Sequence, residues 1–315
     1  LATYNGTLHM GKKKPLLQRM GKYWGFYLMF IPVLVFAAVF HYAPMAGIRY
    51  SFFSWKIVDI PNWVGLANFT RLFGQSQFSV SFWNTIVFSV VKLLLNTGFA
   101  VVISLLLNEI ISLPFKKLSQ TIIYLPHFMS WVVTASVFSL LLSPSNSGLV
   151  NQLLLRTGVI NESIYYMADN GWWKVWYYIV NLWRETGWQT IIFMATLTGI
   201  DPGIYEAASI DGAGRWKKMW YVTMPALANT IITVLILNLA KIMNLFESVF
   251  VLQNDSVRRA TNVLQTYIYY QTFNSGASAD YGFTTAVGLF RSIVGLGLML
   301  VCNFASKKVR GRGIV

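Results

Sequence analysis

The chain has 315 residues, of which 55% are hydrophobic and 11% charged, with a mean hydropathy of +0.52. Soluble domains carry about 25% charged residues. The deficit, with 12 Trp, 16 Tyr and 22 Phe set in long uncharged runs, excludes a water-solvated globule and points to lipid as the solvent. The net charge of +14 comes from basic residues scattered between those runs, without the continuous basic stripe that a phosphate backbone needs, so nucleic acid is not an expected partner.

In chain order, residues 1–21 form a basic arm. Within it GTLHMGKK (Gly6–Lys13) matches the G-x4-G-K part of a phosphate-binding loop. A lysine stands where Ser or Thr is required and a membrane span follows, so no ATP site is expected there. Six segments then reach the roughly 20 apolar residues that a bilayer core demands of a helix: about 22–48, 80–107, 119–142, 174–199, 224–250 and 283–305. The first is longer than the roughly 7–15-residue core of a secretion signal and reads as a retained helix. Pro, Gly, Asn and Ser clusters between the segments read as loops. The expected class is all-α, a polytopic membrane protein of about six transmembrane helices. Residues 22–305 form its membrane domain and 306–315 a short tail.

Orientation follows from Lys and Arg. With the N-terminus inside, the inner segments hold Lys12, Lys13, Lys14, Arg19, Lys22, Lys116, Lys117, Arg215, Lys217, Lys218, Lys307, Lys308, Arg310 and Arg312, a majority of the 25 basic residues. The outer segments hold Arg49, Lys56, Arg71, Arg156, Lys174, Arg258 and Arg259. Both termini are therefore expected in the cytoplasm. The long outer loops, particularly 143–173 and 252–282, are expected to meet external partners, with Arg258 and Arg259 as ionic contacts or as a solvated basic turn.

Charges inside spans are costly and face a cavity or a partner. Lys92, Arg184, Glu185, Lys241, Glu247 and Arg291 occupy such positions. In the fifth segment Asn238, Lys241, Asn244 and Glu247 recur every third residue. On a continuous helix at 100° per residue their ends would diverge by about 180°, which suits either a substrate path or packing against other helices. Lys92 and Glu247 are also a possible structural pair. Trp188, Tyr267, Tyr269 and Tyr270 offer flat faces for sugar rings, among many aromatics whose role is packing or the interface belt.

Between the fourth and fifth segments the chain turns polar: IYEAASIDGAGRWKKMWYVTMPAL (Ile204–Leu227). Asp201-Pro202 is a helix start signal, residues 203–211 favour helix, and Gly212 and Gly214 end it. The small residues Ala207, Ala208 and Gly212 give a surface that another protein's groove can approach closely. An interfacial helix carrying Trp216 and Trp220 fits equally well.

The pattern Glu206-Ala207-Ala208, three residues, Gly212, nine residues, then Val222, Met224 and Pro225 resembles the coupling loop of bacterial ABC importer permeases, the binding-protein-dependent, MetI-like type. Asp211-Gly212-Ala213 matches that family's D-G-A, and Val222 and Met224 are mild apolar departures from its Ile and Leu. WVGLANFTRLF (Trp63–Phe73), FWNT (Phe82–Thr85), YLP (Tyr124–Pro126), GLVN (Gly148–Asn151) and WRETGW (Trp183–Trp188) resemble the sugar-importer branch. TYIYYQTF (Thr266–Phe273) and AVGLF (Ala286–Phe290) resemble its polysaccharide-type members, including importers of alginate fragments. Together these motifs cover about 63–290.

The resemblance implies that residues 201–214 form a coupling helix seated in a cleft of a cytoplasmic ATPase, with Glu206 near its start, where a carboxylate suits the positive end of the helix dipole and can meet ATPase side chains. It implies a permease of the bacterial inner membrane that is not itself an enzyme, ATP and Mg²⁺ being held by two partner ATPase subunits, so that this chain holds no cofactor. The further partners are a second, non-identical permease subunit, an external solute-binding protein that docks on the outer loops with Arg258 and Arg259 as its ionic contacts, lipid and a carbohydrate. Four basic residues within spans against two carboxylates favour an acidic sugar, with alginate-type oligosaccharides as the sharpest expectation; a neutral oligosaccharide is the alternative. A self-contained secondary transporter is the competing class, but no internal repeat supports it. The three histidines, His9, His41 and His127, are not clustered as a metal or acid–base site requires.

Overall fold

The computed structural model describes residues 23–56, 60–145, 148–276 and 279–310; the N-terminal arm with Gly6–Lys13 lies outside them. The chain divides into two units, Leu1–Arg49 and Tyr50–Val315. Helix α1 (Trp24–Phe52) begins in the first and is long and apolar enough to cross a membrane. Its backbone widens into a π-turn at Ala38–Tyr42, just before Pro44. A proline cannot donate to the carbonyl four residues back, here that of Phe40, and its ring crowds that carbonyl, so the helix opens there.

In the second unit, a short hairpin of β1 (Phe53–Ser54) and β2 (Asn62–Trp63) leads to α2 (Ala67–Gly74) and α3 (Ser76–Asn108). The hairpin is pinned by Asn68, whose Nδ2 donates to the Ser51 and Phe53 carbonyls, both at 2.9 Å. The expected third span is two helices, α4 (Leu113–Tyr124, extended by a 3₁₀ turn to Phe128) and α5 (Trp131–Leu141), bent by 101°. Next come α6 (Leu149–Arg156), α7 (Asn170–Thr198) and α8 (Pro202–Ile210).

Helix α9 (Arg215–Leu239) contains a second π-turn, Met219–Thr223, just before Pro225, the same local solution as in α1. It ends at Leu239, so the expected fifth span, 224–250, is interrupted. Residues 240–243 form turns and 244–246 run irregularly before α10 (Glu247–Leu252) resumes. Helices α11 (Arg258–Thr261) and α12 (Leu264–Phe273) occupy what was expected to be an open outer loop, and α13 (Tyr281–Arg310) closes the fold.

Among the described residues, α1, α3, α9 and α13 are long and apolar enough to cross a membrane, and the bent α4–α5 pair makes a fifth candidate. The expected fourth span, α7, has 29 residues, or about 43 Å at 1.5 Å per residue, but includes Lys174, Arg184 and Glu185. Its polarity follows from its surroundings. Trp173, Tyr177, Asn181, Thr186, Thr190 and Phe193 are buried against protein, so that face never meets lipid.

The cores set the direction of the helices. Phe88 of α3 packs with Trp173 and Tyr177 of α7, while Ala100 and Val101 pack with Phe193 and Leu197. Helices α3 and α7 therefore run side by side in the same direction. Leu227, midway along α9, joins the second cluster, and Val249, Val257 and Val263 join the first. The α8 segment thus lies at one end of this bundle, and the N-terminus of α3, with α11, at the other. Gly187 sets the contact of α7 with α4. A Cβ there would stand 2.3 Å from the Ile123 carbonyl oxygen.

Candidate functional site

The segment between α7 and α9 is built by local chemistry. Asp201 caps α8, its Oδ1 accepting from the Gly203 N–H at 2.9 Å, with Pro202 in the first turn where its missing N–H costs nothing. Asp211 closes the helix, and Gly212 takes φ +74°. The Ala213 N–H then reaches the Ala208 carbonyl at 2.9 Å and the Gly212 N–H reaches Ser209 at 3.1 Å, the paired bonds of a Schellman ending.

Two side-chain links tie α8 to the start of α9. Tyr205 and Thr223 share a hydroxyl bond of 3.0 Å, and the Lys218 ammonium donates to Ser209 at 2.6 Å. No residue of α8 is buried; Glu206 and Ala207 are exposed and Ala208 is half-buried. Glu206 is corrected in one respect. It was expected near the helix start, where the dipole favours a carboxylate, but it stands in the middle of α8 with no acidic residue in the first turn. Its carboxylate is displayed to solvent and is not a cap.

The second arrangement starts from α3. Gln77, Ser81, Asn84, Thr85, Ser89, Lys92 and Asn96 fall within about 140° of one another at 100° per residue. This polar stripe meets the irregular backbone of 240–264. Gln77 donates to the Arg259 carbonyl at 2.8 Å, and Asn84 to those of Ala260 and Asn262 at 2.8 and 2.9 Å. Thr85 accepts from the Leu264 N–H at 2.8 Å, and Ser89 donates to Ile242 at 2.8 Å. Backbone that leaves a helix at membrane depth has to be satisfied by protein, and this stripe does so.

Beside that seam lies a cavity of ≈ 200 Å³ lined by Ser89, Lys92, Leu93, Asn96, Gln189, Asn238, Lys241, Ile242 and Asn244. Asn238, Lys241 and Asn244 converge because α9 ends at Leu239. The expected divergence applied to a continuous helix, and the turn cancels it. Glu247 parts from them: it is exposed at the first turn of α10, where a carboxylate suits the helix dipole. It forms no ion pair with Lys92. Neither Lys92 nor Lys241 has a carboxylate within 4.0 Å among the described residues. The side-chain carbonyl oxygens of Asn96 and Gln189 are buried without a partner among the described residues.

The remaining in-span charges lie elsewhere, so the four basic residues do not share one cavity. Arg184 is consumed at the α4–α5 bend. Its Nε and Nη2 donate to the Met129 carbonyl at 3.1 and 2.9 Å, its Nη1 pairs with Glu185, and its guanidinium lies 4.5 Å from the Trp131 ring centroid. Glu185 also faces the His127 Nδ1 at 3.4 Å, and His127 stacks on Trp188 at 5.0 Å. Trp188 thus keeps one face on the histidine. Arg291 lines a separate opening of ≈ 440 Å³ with Phe246, Tyr269 and Phe273. Tyr267 is 2% exposed with its hydroxyl bonded to Gln75, too enclosed to offer a ring face.

Arg258 and Arg259 stand at the α3 N-terminal end, beside an opening they share with Gln77 and Tyr270. Ser89, Asn96 and Gln189 were not among the residues expected at the cavity. The signal for the first two was present, in polar residues three or four apart on α3, but an apolar run of that length masks it.

Residues 96–311 match the model of the family described as binding-protein-dependent transport system inner membrane component. The chain is 38% identical over 307 residues to the polygalacturonan/rhamnogalacturonan transport system permease protein YteP of Bacillus subtilis, covering 96% of this chain and 94% of that relative. It is 33% identical over 224 residues to the lactose transport system permease protein LacF of Rhizobium radiobacter, covering 70% and 74%. Its fold superposes with a TM-score of 0.85 on the crystal structure of a bacterial ABC transporter involved in the import of the acidic polysaccharide alginate. That match has 32% identity and covers 94% of this chain and 99% of that one. A second structure of TM-score 0.85, at 31% identity, is a bacterial alginate ABC transporter in complex with an alginate pentasaccharide-bound periplasmic protein.

Proposed function

From the premise that this chain belongs to the binding-protein-dependent transport system inner membrane components and is the multi-pass permease subunit of a sugar ABC importer, we propose that it conducts an anionic, uronate-bearing oligosaccharide inward. The observation that carries this is the cavity between α3, α7 and the interrupted span. Among the described residues two lysines line it, no carboxylate does, and the remaining polar side chains are one serine, one glutamine and three asparagines. Ammonium groups there meet a uronate carboxylate in a medium of reduced dielectric, where their attraction is several-fold that in water. The serine and the amides suit hydroxyls, and the unpartnered oxygens of Asn96 and Gln189 are acceptors for sugar O–H donors.

One relative is named for polygalacturonan transport and one structural neighbour for import of the acidic polysaccharide alginate, which agrees with this charge. A neutral sugar is the second reading, supported by the lactose permease relative and by the field of Glu185 at Lys92. Alginate-type and pectin-type uronates are distinguished by experiment.

The α8 segment is the coupling helix in this proposal. Glu206, Ala207, Ala208, Asp211, Gly212 and Ala213 form the surface presented to one ATPase subunit, and Pro225 sets the wide turn that returns the chain to the membrane. Both termini lie in the cytoplasm, a non-identical permease completes the membrane pair, and a loaded binding protein docks at the opposite end. The test is uptake by the assembled importer in proteoliposomes of trigalacturonate, trimannuronate and fully methyl-esterified trigalacturonate. Uptake of an acid over the ester supports the proposal; equal uptake of acid and ester supports the neutral reading instead.

A further inference from the structure

At the far end of the bundle from α8, beside the first turn of α3, the opening shared by α3, α11 and α12 has a volume of ≈ 480 Å³, within the roughly 300–1,000 Å³ range of small-molecule sites. We propose that it is an entry subsite for the sugar itself, in which Arg259 holds a uronate carboxylate and Tyr270 carries a sugar ring. The inference rests on the reading of the chain as a permease for anionic oligosaccharides and adds to it a second binding position.

Charge separates the two arginines. Arg258 is engaged: it pairs with Asp255 at 2.7 Å and lies 4.8 Å from the Tyr270 ring centroid. The ring contact holds the tyrosine in place, and the Asp255 carboxylate neutralises Arg258. Arg259 is exposed and has no carboxylate within 4.0 Å among the described residues. Its main chain is fixed, because Gln77 donates to its carbonyl at 2.8 Å. A guanidinium on an anchored backbone suits bidentate recognition of a carboxylate.

The rest of the lining suits a sugar. Tyr270 and Asn274 are four residues apart on and just after α12, on one face, with Gln271 beside them. One ring and two amides match the flat C–H face and the hydroxyls of a pyranose. The opening and the inner cavity are both lined by α3. Gln77 and Lys92 are on the same helix, about 22 Å apart along its axis and about 60° apart around it. The polar side of α3 between them is closed by the seam, with Ser81, Thr85 and Ser89 buried in it, so a uronate chain held at Arg259 passes beside the seam to reach Lys92 and Lys241. Arg259 was expected to contact the binding protein; here it contacts the cargo.

The experiment uses the assembled importer in proteoliposomes, without binding protein or ATP, carrying Ser275→Cys. Ser275 lines the opening, and the chain's single native cysteine, Cys302, is buried. Trigalacturonate at about twice its Kd is expected to slow maleimide labelling of the new cysteine about threefold, by simple occupancy. Its methyl ester should protect far less. Adding Arg259→Gln should abolish protection, and Arg259→Lys should keep part of it.

Absence of protection, equal protection by acid and ester, or protection that survives Arg259→Gln would each overturn the subsite. So would a loss in Arg259→Gln confined to binding-protein-stimulated ATP hydrolysis, since that assigns the arginine to protein docking. Uptake by the complete importer separates the two proposals. Uptake of trigalacturonate over the ester without protection rejects the subsite alone, whereas no preference for the acid rejects the anionic-substrate reading beneath it.

Discussion

The Ser89 hydroxyl donates to the Ile242 carbonyl at 2.8 Å, across a sequence separation of 153. Ser89 is on a continuous helix, and Ile242 is in the turn where the neighbouring span has stopped being one. The bond closes a carbonyl that the helix no longer satisfies, and both residues line the cavity with the two lysines.

Ser89→Ala leaves that carbonyl without its donor. Polar side-chain bonds between membrane helices contribute about 0.6 kcal/mol on average and up to about 1.7; this one, with its acceptor in a helix break, should fall at the upper end. A lower unfolding midpoint of the purified permease complex is expected, with recovery in Ser89→Thr. An unchanged midpoint in Ser89→Ala would show that the break at 240–246 holds itself.

Arg184→Lys keeps the charge but loses the fork that binds Met129 and Glu185 together and the planar stack on Trp131. The α4–α5 bend should loosen, with destabilisation of about 1–3 kcal/mol from the loss of a forked, charged donor to a partly buried carbonyl. Proteolysis or hydrogen exchange should report this at residues 125–131 first. Protection equal to the parent in that segment would mean the bend is set by Pro126 and the Ser130 cap alone.

Gly212→Val places a β-branched residue at φ +74°, in the left-handed region that costs an L-residue about 1–2 kcal/mol. Glu206→Lys reverses an exposed charge on α8 without touching the fold. Both should reduce transport and ATPase co-purification while leaving capture of sugar by the binding protein unchanged. Normal transport with normal co-purification in both variants would refute the role of α8 in coupling.

Lys92→Gln and Lys241→Gln remove the cavity's positive charges singly. Each should lower the preference for trigalacturonate over its methyl ester about tenfold, the equivalent of about 1.4 kcal/mol, and Arg291→Gln should leave it unaltered because Arg291 lines a different opening. The measurement is the ratio of uptake KM values in proteoliposomes. Unchanged ratios in both lysine variants would make the lysines structural.

Features decided over short stretches of chain were legible in the sequence. The Asp201 cap, Pro202 and Gly212 bound α8 as read, since each acts on backbone within a few residues of itself. Span ends along α3 and α13 were likewise close to expectation, because lipid solvation depends on run length alone. The breaks in the third and fifth segments were not legible. An apolar run signals lipid or protein around it but does not say that its backbone stays helical.

What the sequence by itself determined is the class, the approximate spans and the bounds of the polar helix α8; each follows from composition, run length or a local dihedral preference. Only the tertiary structure decided which charges act together. Arg184 has its charge met by Glu185 and its donors taken up by a carbonyl that the α4–α5 bend exposes, whereas Lys92 and Lys241 come to one cavity because α9 ends at Leu239. The physical reason is that a break in a membrane helix survives only where a distant side chain satisfies the freed backbone. Ser89, 153 residues from Ile242, is such a side chain, and no local pattern around either residue specifies the other.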